Sequence, residues 1–189
     1  GGEASWTYHG ANRLGANSLL SASVDGWFTL PFTVPNYLAG HLNEQLLELE
    51  APEVTSAVAR AQEHIDRLMN INGSDPHGPD HYHEQLGAIL YESCGVARNV
   101  ELMEKGLKAV RELRRDFWAN VNIPGDAMDM NQTLENALRV ADYINLGELM
   151  IIDALDRDES CGAHYREDHL SEDGEAERDD ENWCFVSAW

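Results

Sequence analysis

The residues of this chain best equipped for chemistry lie near its beginning, in the stretch GEASWTYHGANRLGANSLL between Gly2 and Leu20. Glu3 is a lone acid, and Arg13 closes a turn that runs through His9, Gly10, Ala11 and Asn12. A guanidinium fork suits a carboxylate better than any other side chain does. Gly15 and Ala16 carry almost no side chain, so the backbone there can approach another group closely. Asn17 or Ser18 can cap the helix that Leu19 and Leu20 begin. A helix start presents unpaired N–H groups and the positive end of the dipole, which attract an anion or a developing negative charge. The same residues also make an ordinary turn, an N-cap and a surface arginine, and spacing alone leaves both readings open.

Two other groups carry chemical side chains. The loop 73–83, GSDPHGPDHYH, holds His77, His81, His83, Asp75 and Asp80, which offer metal ligands but lack helical ligand spacing. A solvated polar loop is the default reading there. Further on, His164, Arg166 and Asp168 alternate along five residues and could serve as catalytic groups, with His164 and Arg166 read as structural or interface residues.

Helices must position these groups. The spacing predicts a broken helix over 17–45, with Pro31 and Pro35 interrupting it or marking its exit and a second short helix over NYLAGHLNEQLLELE. Trp27, Phe28 and Phe32 read as core. Over 51–70, Pro52 and Glu53 suit a first turn, and Val54, Val58, Ala61, Ile65 and Leu68 recur at helical spacing. Helices are also predicted over 82–95 and 97–120. The second keeps an apolar stripe of Val100, Met103, Leu107, Val110, Leu113 and Phe117 opposite Lys105, Lys108, Arg111, Arg114 and Arg115. That basic face either pairs with local acids or meets an acidic segment or partner. Asp129 and Gln132 suit a capping box for a helix over 134–155, apolar on most sides and expected at the centre of a bundle. Beyond it, thirteen acids face three arginines between Asp153 and Glu181, and WCFVSAW alternates enough to begin a strand.

The 189 residues suffice for a medium domain with a real core. A net charge of −21 argues against nucleic acid and against docking on anionic lipid. Cys94, Cys161 and Cys184 are widely spaced without a CxxC, so no iron–sulfur or zinc ribbon site is written, and a reduced cytoplasmic environment fits. No apolar run is long enough to span a membrane, no signal peptide is visible, and both ends of the chain look cut.

The GE and HGANRLGANSLL segments closely resemble the flavin-domain signature of succinate dehydrogenase and fumarate reductase flavoprotein subunits. GAHYRED and RDDENW resemble later segments of the same family. Cys161 stands where the ESRGAH branch has arginine, which places the chain in an ESCGAH-type bacterial branch, and SEDGEAE looks like an insertion. The resemblance implies FAD as cofactor, with Glu3 on its ribose and Ser18 and Leu19 touching the flavin ring through their backbone. Ala16 and Asn17 complete that cofactor-binding run; Ala16 stands where many members have glycine. Arg13 is implied both near the flavin and on a substrate carboxylate. The implied fold is mainly α: residues 1–45 end an FAD-binding α/β domain, 46–156 form a helical bundle, and 157–189 begin an acidic C-terminal segment containing β structure. The implied activity is hydride transfer between succinate and FAD, in either direction. Electrons would pass to an iron–sulfur subunit and a membrane anchor on the cytoplasmic face of the bacterial inner membrane. The proton-transfer arginine and the Gly-rich dinucleotide fingerprint are expected upstream, so no catalytic residue is assigned here and these residues alone are expected to be inactive. L-Aspartate oxidase, a soluble relative with a similar stretch, is the second reading. A non-catalytic helical interaction fragment is the third.

Overall fold

Proline and glycine punctuate this chain more weakly at one end than their chemistry suggests. In the structure, a computed structural model describing residues 9, 12–44 and 46–189, α1 (Asn17–Val24) runs through a π turn over Asp25–Thr29 into α2 (Leu30–Ala39). Pro31 and Pro35 therefore lie inside a continuous helical path instead of ending it. The π turn accounts for Pro31. The Leu30 N–H reaches back to the Asp25 carbonyl, one residue further than in an α-helix, which loosens the turn just where proline withdraws a donor. The expected helix over 36–50 is not formed. Only its first residues are helical, as the end of α2, and from Gly40 the chain makes tight turns, with the His41 N–H on the Leu38 carbonyl at 2.8 Å. Trp27, Phe28 and Phe32, expected in a core, are exposed at 78%, 66% and 64%. Asp25 is the sole buried residue of this helical path. The chain divides into two units between Val54 and Thr55.

The second unit is a helical bundle. α3 (Pro52–Met69) crosses into it, followed by α4 (Pro79–Cys94), α5 (Val100–Asn120), α6 (Gln132–Asp156) and the single turn α7 (Asp180–Trp183). α4, α5 and α6 pack on one another around Tyr82, Leu86, Met103, Val110, Phe117 and Ile144. Tyr82 meets Phe117 edge to face at 5.2 Å. Only the end of α3 joins this core, through Ile65, Leu68 and Met69, while Val58 stays exposed. Pro79 at the first position starts α4 earlier than expected, so His81 and His83 lie on that helix and not in a loop. Asn99 caps α5 through Leu102 N–H at 2.9 Å. For α6 the cap is Asn131, not Asp129: its Oδ1 accepts from Leu134 N–H at 3.0 Å, while its Nδ2 donates to the carbonyls of Pro124 and Asp126. α6 buries one face from Leu134 to Ala154 and leaves Leu146, Leu149 and Met150 exposed, so it is less enclosed than its composition suggests.

The acidic segment folds back on the end of α6. Arg166, 1% exposed, donates to Asp168 from Nε and Nη2 at 2.7 Å each. Its Nη1 donates to the carbonyl of Arg157 at 3.1 Å and reaches that of Ala154 at 3.4 Å. A buried cation thus closes the negative end of the α6 dipole. The Arg166 guanidinium holds the Asp168 carboxyl down at about 2. His164 donates from Nε2 to the Arg157 carbonyl at 2.9 Å and accepts from Arg98 Nη1 at Nδ1, at 3.0 Å. Ser160 exchanges two hydrogen bonds with the Arg166 backbone. The pairing of Arg98 with Arg166 is one of four isolated bridges, and no strand forms among the described residues. WCFVSAW is not a strand: the Trp183 and Phe185 carbonyls accept from Arg157, which leaves them no ladder partner. The SEDGEAE stretch is a reversal about Gly174, whose φ of 78° suits glycine.

Two stability tests follow from this packing. A Cβ at Gly106 would run into the Ser93 side chain across the α4–α5 crossing, so Gly106→Ala should destabilise the bundle by about 1–3 kcal/mol in denaturant titrations. Burial and the charges of Arg98, Arg166 and Arg157 push the His164 pKa down. The unfolded chain then binds the proton first, so stability is full above about pH 6.5 and is lost as pH falls toward the folded value. Unfolding curves measured between pH 7.5 and 5.5 (a window of about two units around the free value) should show this slope, and His164→Gln should flatten it.

Candidate functional site

Arg13 is exposed, four residues before the start of α1. Between them Ala16 occupies the N-cap with φ 64°, the left-handed region that favours glycine. That conformation turns the chain sharply into the helix, with the Leu20 N–H on the Ala16 carbonyl at 3.1 Å and the Asn17 N–H on Leu14 at 3.3 Å. The expectation that Asn17 or Ser18 caps the helix is not met. Both are already helical, and no side chain caps α1. Gly15 has open space around it. The outcome is an accessible helix start beside an exposed guanidinium, with Leu19 73% exposed. An anionic or electron-rich edge can approach such a start without displacing a capping side chain. Glu3 lies outside the described residues.

One contact here was not legible in the sequence. Ser21, on the second turn of α1, has its Oγ 3.3 Å from His9 Nε2 and donates to the Ser18 carbonyl at 3.0 Å. A cavity of about 390 Å³ beside it is lined by His9, Asn17, Leu20, Ser21, Val24, Asp25 and Thr29. The only signal for it was the placement of a hydroxyl on the helix that follows the histidine turn.

The other candidate groups take structural places. His77 and His81 stack at 4.2 Å, with His77 Nε2 3.4 Å from Asp75. His83 instead meets Tyr143 at 5.7 Å, so the three histidines are not brought to one point. No group of three or more metal-ligating side chains converges among the described residues. His164, Arg166 and Asp168 do come together, with every polar atom of the Arg166 side chain engaged in holding α6 to its continuation. On the basic face of α5, Arg111 and Arg114 both clamp Glu148 of α6, the first at 2.7 Å. Glu148 is a buried acid that the sequence reading did not single out. Arg67 lies over the Trp118 ring at 3.8 Å, tying α3 to α5. Burial pushes the Cys94 thiol up, and that thiol faces the Met150 carbonyl. Among the described residues no helix is long and apolar enough to cross a membrane.

Residues 83–189 match the family model described as fumarate reductase flavoprotein C-term. The whole chain is 31% identical to the fumarate reductase flavoprotein subunit of Helicobacter pylori, and 96% of it is 29% identical to the succinate dehydrogenase flavoprotein subunit of Bacillus subtilis. It spans 25% and 29% of those two proteins. A solved structure of a quinol-fumarate reductase with menaquinol superposes with a TM-score of 0.73 at 31% identity, over 92% of this chain and 28% of the other. With more than half of its length inside the matched region, and with the same helical bundle, the chain belongs to the fumarate reductase and succinate dehydrogenase flavoprotein family.

Proposed function

We propose that these residues are part of the flavoprotein subunit of a succinate:quinone oxidoreductase, interconverting succinate and fumarate. The observation that carries the reading is the uncapped start of α1, entered through a left-handed Ala16 and preceded by exposed Arg13. Bound FAD would supply the two-electron chemistry. Ala16, Asn17, Ser18 and Leu19 would hold it by backbone, and Glu3 by its carboxylate. The open space at Gly15 and the absence of a capping side chain fit close approach by a ring edge. Arg13 would fix one carboxylate of a dicarboxylate, so that the reacting carbons are held in place before any bond changes. The helix dipole would favour negative charge at the same spot. The catalytic groups that move protons are assigned to the upstream part of the whole subunit.

In this reading residues 1–45 complete the FAD-binding domain, and the exposed aromatic residues of the π turn and α2 lie under the remainder of it. Residues 46–156 are the helical domain and 157–189 the start of the acidic segment. The partners would be an iron–sulfur subunit and a membrane anchor, which would keep this subunit peripheral at the cytoplasmic face. The family match through the acidic segment favours this over an L-aspartate oxidase, which would need no iron–sulfur partner. Affinity purification of the full-length subunit from its native membrane should recover an iron–sulfur protein; its absence would favour the oxidase. In the full-length enzyme, Arg13→Gln should lower kcat/KM for succinate about 100- to 1000-fold, the loss of a charge-assisted carboxylate contact and of orientation. Wild-type rates in that variant would remove Arg13 from the site.

A further inference from the structure

Arg13 has to be held still to orient a carboxylate, yet it is exposed. The part of the turn that is anchored is its first residue. His9 Nε2 meets Ser21 Oγ at 3.3 Å, and that hydroxyl spends its single hydrogen on the Ser18 carbonyl at 3.0 Å. The direction of the first bond follows. The Ser21 oxygen has no second hydrogen to give, so His9 donates from Nε2 and Ser21 accepts. The result is a relay from the histidine of the turn, through a hydroxyl on α1, to the backbone of Ser18. One end of this relay is four residues from Arg13 and the other is on the helix start. A chain spans at most about 3.5 Å per residue, so pinning His9 confines where Arg13 can go.

We propose that Ser21 and His9 are positioning residues for substrate binding: together they dock the turn that carries Arg13 onto α1, so that Arg13 meets the dicarboxylate in a fixed place. The inference rests on the reading of Arg13 given above. Neither side chain needs to touch substrate. Their contribution is to remove motion of Arg13 that binding would otherwise have to freeze.

The test is steady-state kinetics of the full-length, FAD-loaded enzyme. Ser21→Ala should raise KM for succinate about fivefold to tenfold, the scale of one lost hydrogen bond, with kcat within about twofold and FAD content unchanged. Ser21→Thr, which keeps the hydroxyl, should restore KM. His9→Phe should raise KM similarly, and the double variant His9→Phe with Ser21→Ala should add nothing further, because both break one link. An unchanged KM in Ser21→Ala overturns the proposal. So does additivity of the two changes, an equal defect in Ser21→Thr, or loss of FAD from Ser21→Ala, which would make the contact a support of the fold. Arg13→Gln run in parallel separates the two layers. If it leaves KM and kcat untouched, the reading of Arg13 fails; if it is impaired while Ser21→Ala is normal, only the relay fails.

Discussion

Arg166 is the constraint on which the second unit depends. It is a charged side chain almost wholly withdrawn from water, and it stays charged because everything around it is arranged to accept its protons. Two of its bonds go to Asp168 and others to carbonyls at the end of α6, groups that a helix terminus leaves without partners. Removing one partner of such a pair strands the rest, which is why it is costly to break even where it adds little net stability. Through Ser160, His164 and Arg98 the same centre fixes the start of the acidic segment and the loop before α5. A stretch too acidic to build a hydrophobic core is thereby held by one cation and a set of carbonyls.

The bundle uses the same device once more. Glu148 lies on the buried side of α6, and Arg111 and Arg114 of α5 neutralise it. In a chain of net charge −21, buried acids need cations from neighbouring elements, and α5 supplies them. Close approach of the helices is then a matter of small residues: Gly106 under Ser93, and Gly147 where a Cβ would stand 3.1 Å from Leu86. The exposed apolar residues of α1 and α2 make a contrast. They are exposed among the described residues, and the chain spans about a quarter of the length of its relatives.

Much of the bundle was legible because its helices follow simple rules. The apolar stripe of α5, Pro52 at the first position of α3, and the length of α6 are all written in residue spacing. The failures have physical causes. Pro31 and Pro35 signalled a break, but a π turn accommodated Pro31 and α2 carries Pro35 in its interior, and a local pattern does not encode that rescue. WCFVSAW had strand alternation, yet a strand exists only with a partner, and Arg157 took the carbonyls first. Asn131 displaced Asp129 as cap because its amide could also tie down the preceding loop. At the candidate site, Arg13 and the helix start were readable from the HGANRLGANSLL run. Ser21 was not, since its role is a contact across twelve residues.

A left-handed residue turns the chain into an uncapped helix, that start is free to face an electron-rich ring, and a neighbouring arginine can hold a carboxylate beside it. The most direct check is anaerobic addition of substrate to the full-length, FAD-loaded protein while its flavin absorbance is followed. The account predicts bleaching by succinate, reversed by fumarate, and no response to L-aspartate. Bleaching by L-aspartate with none by succinate would contradict it.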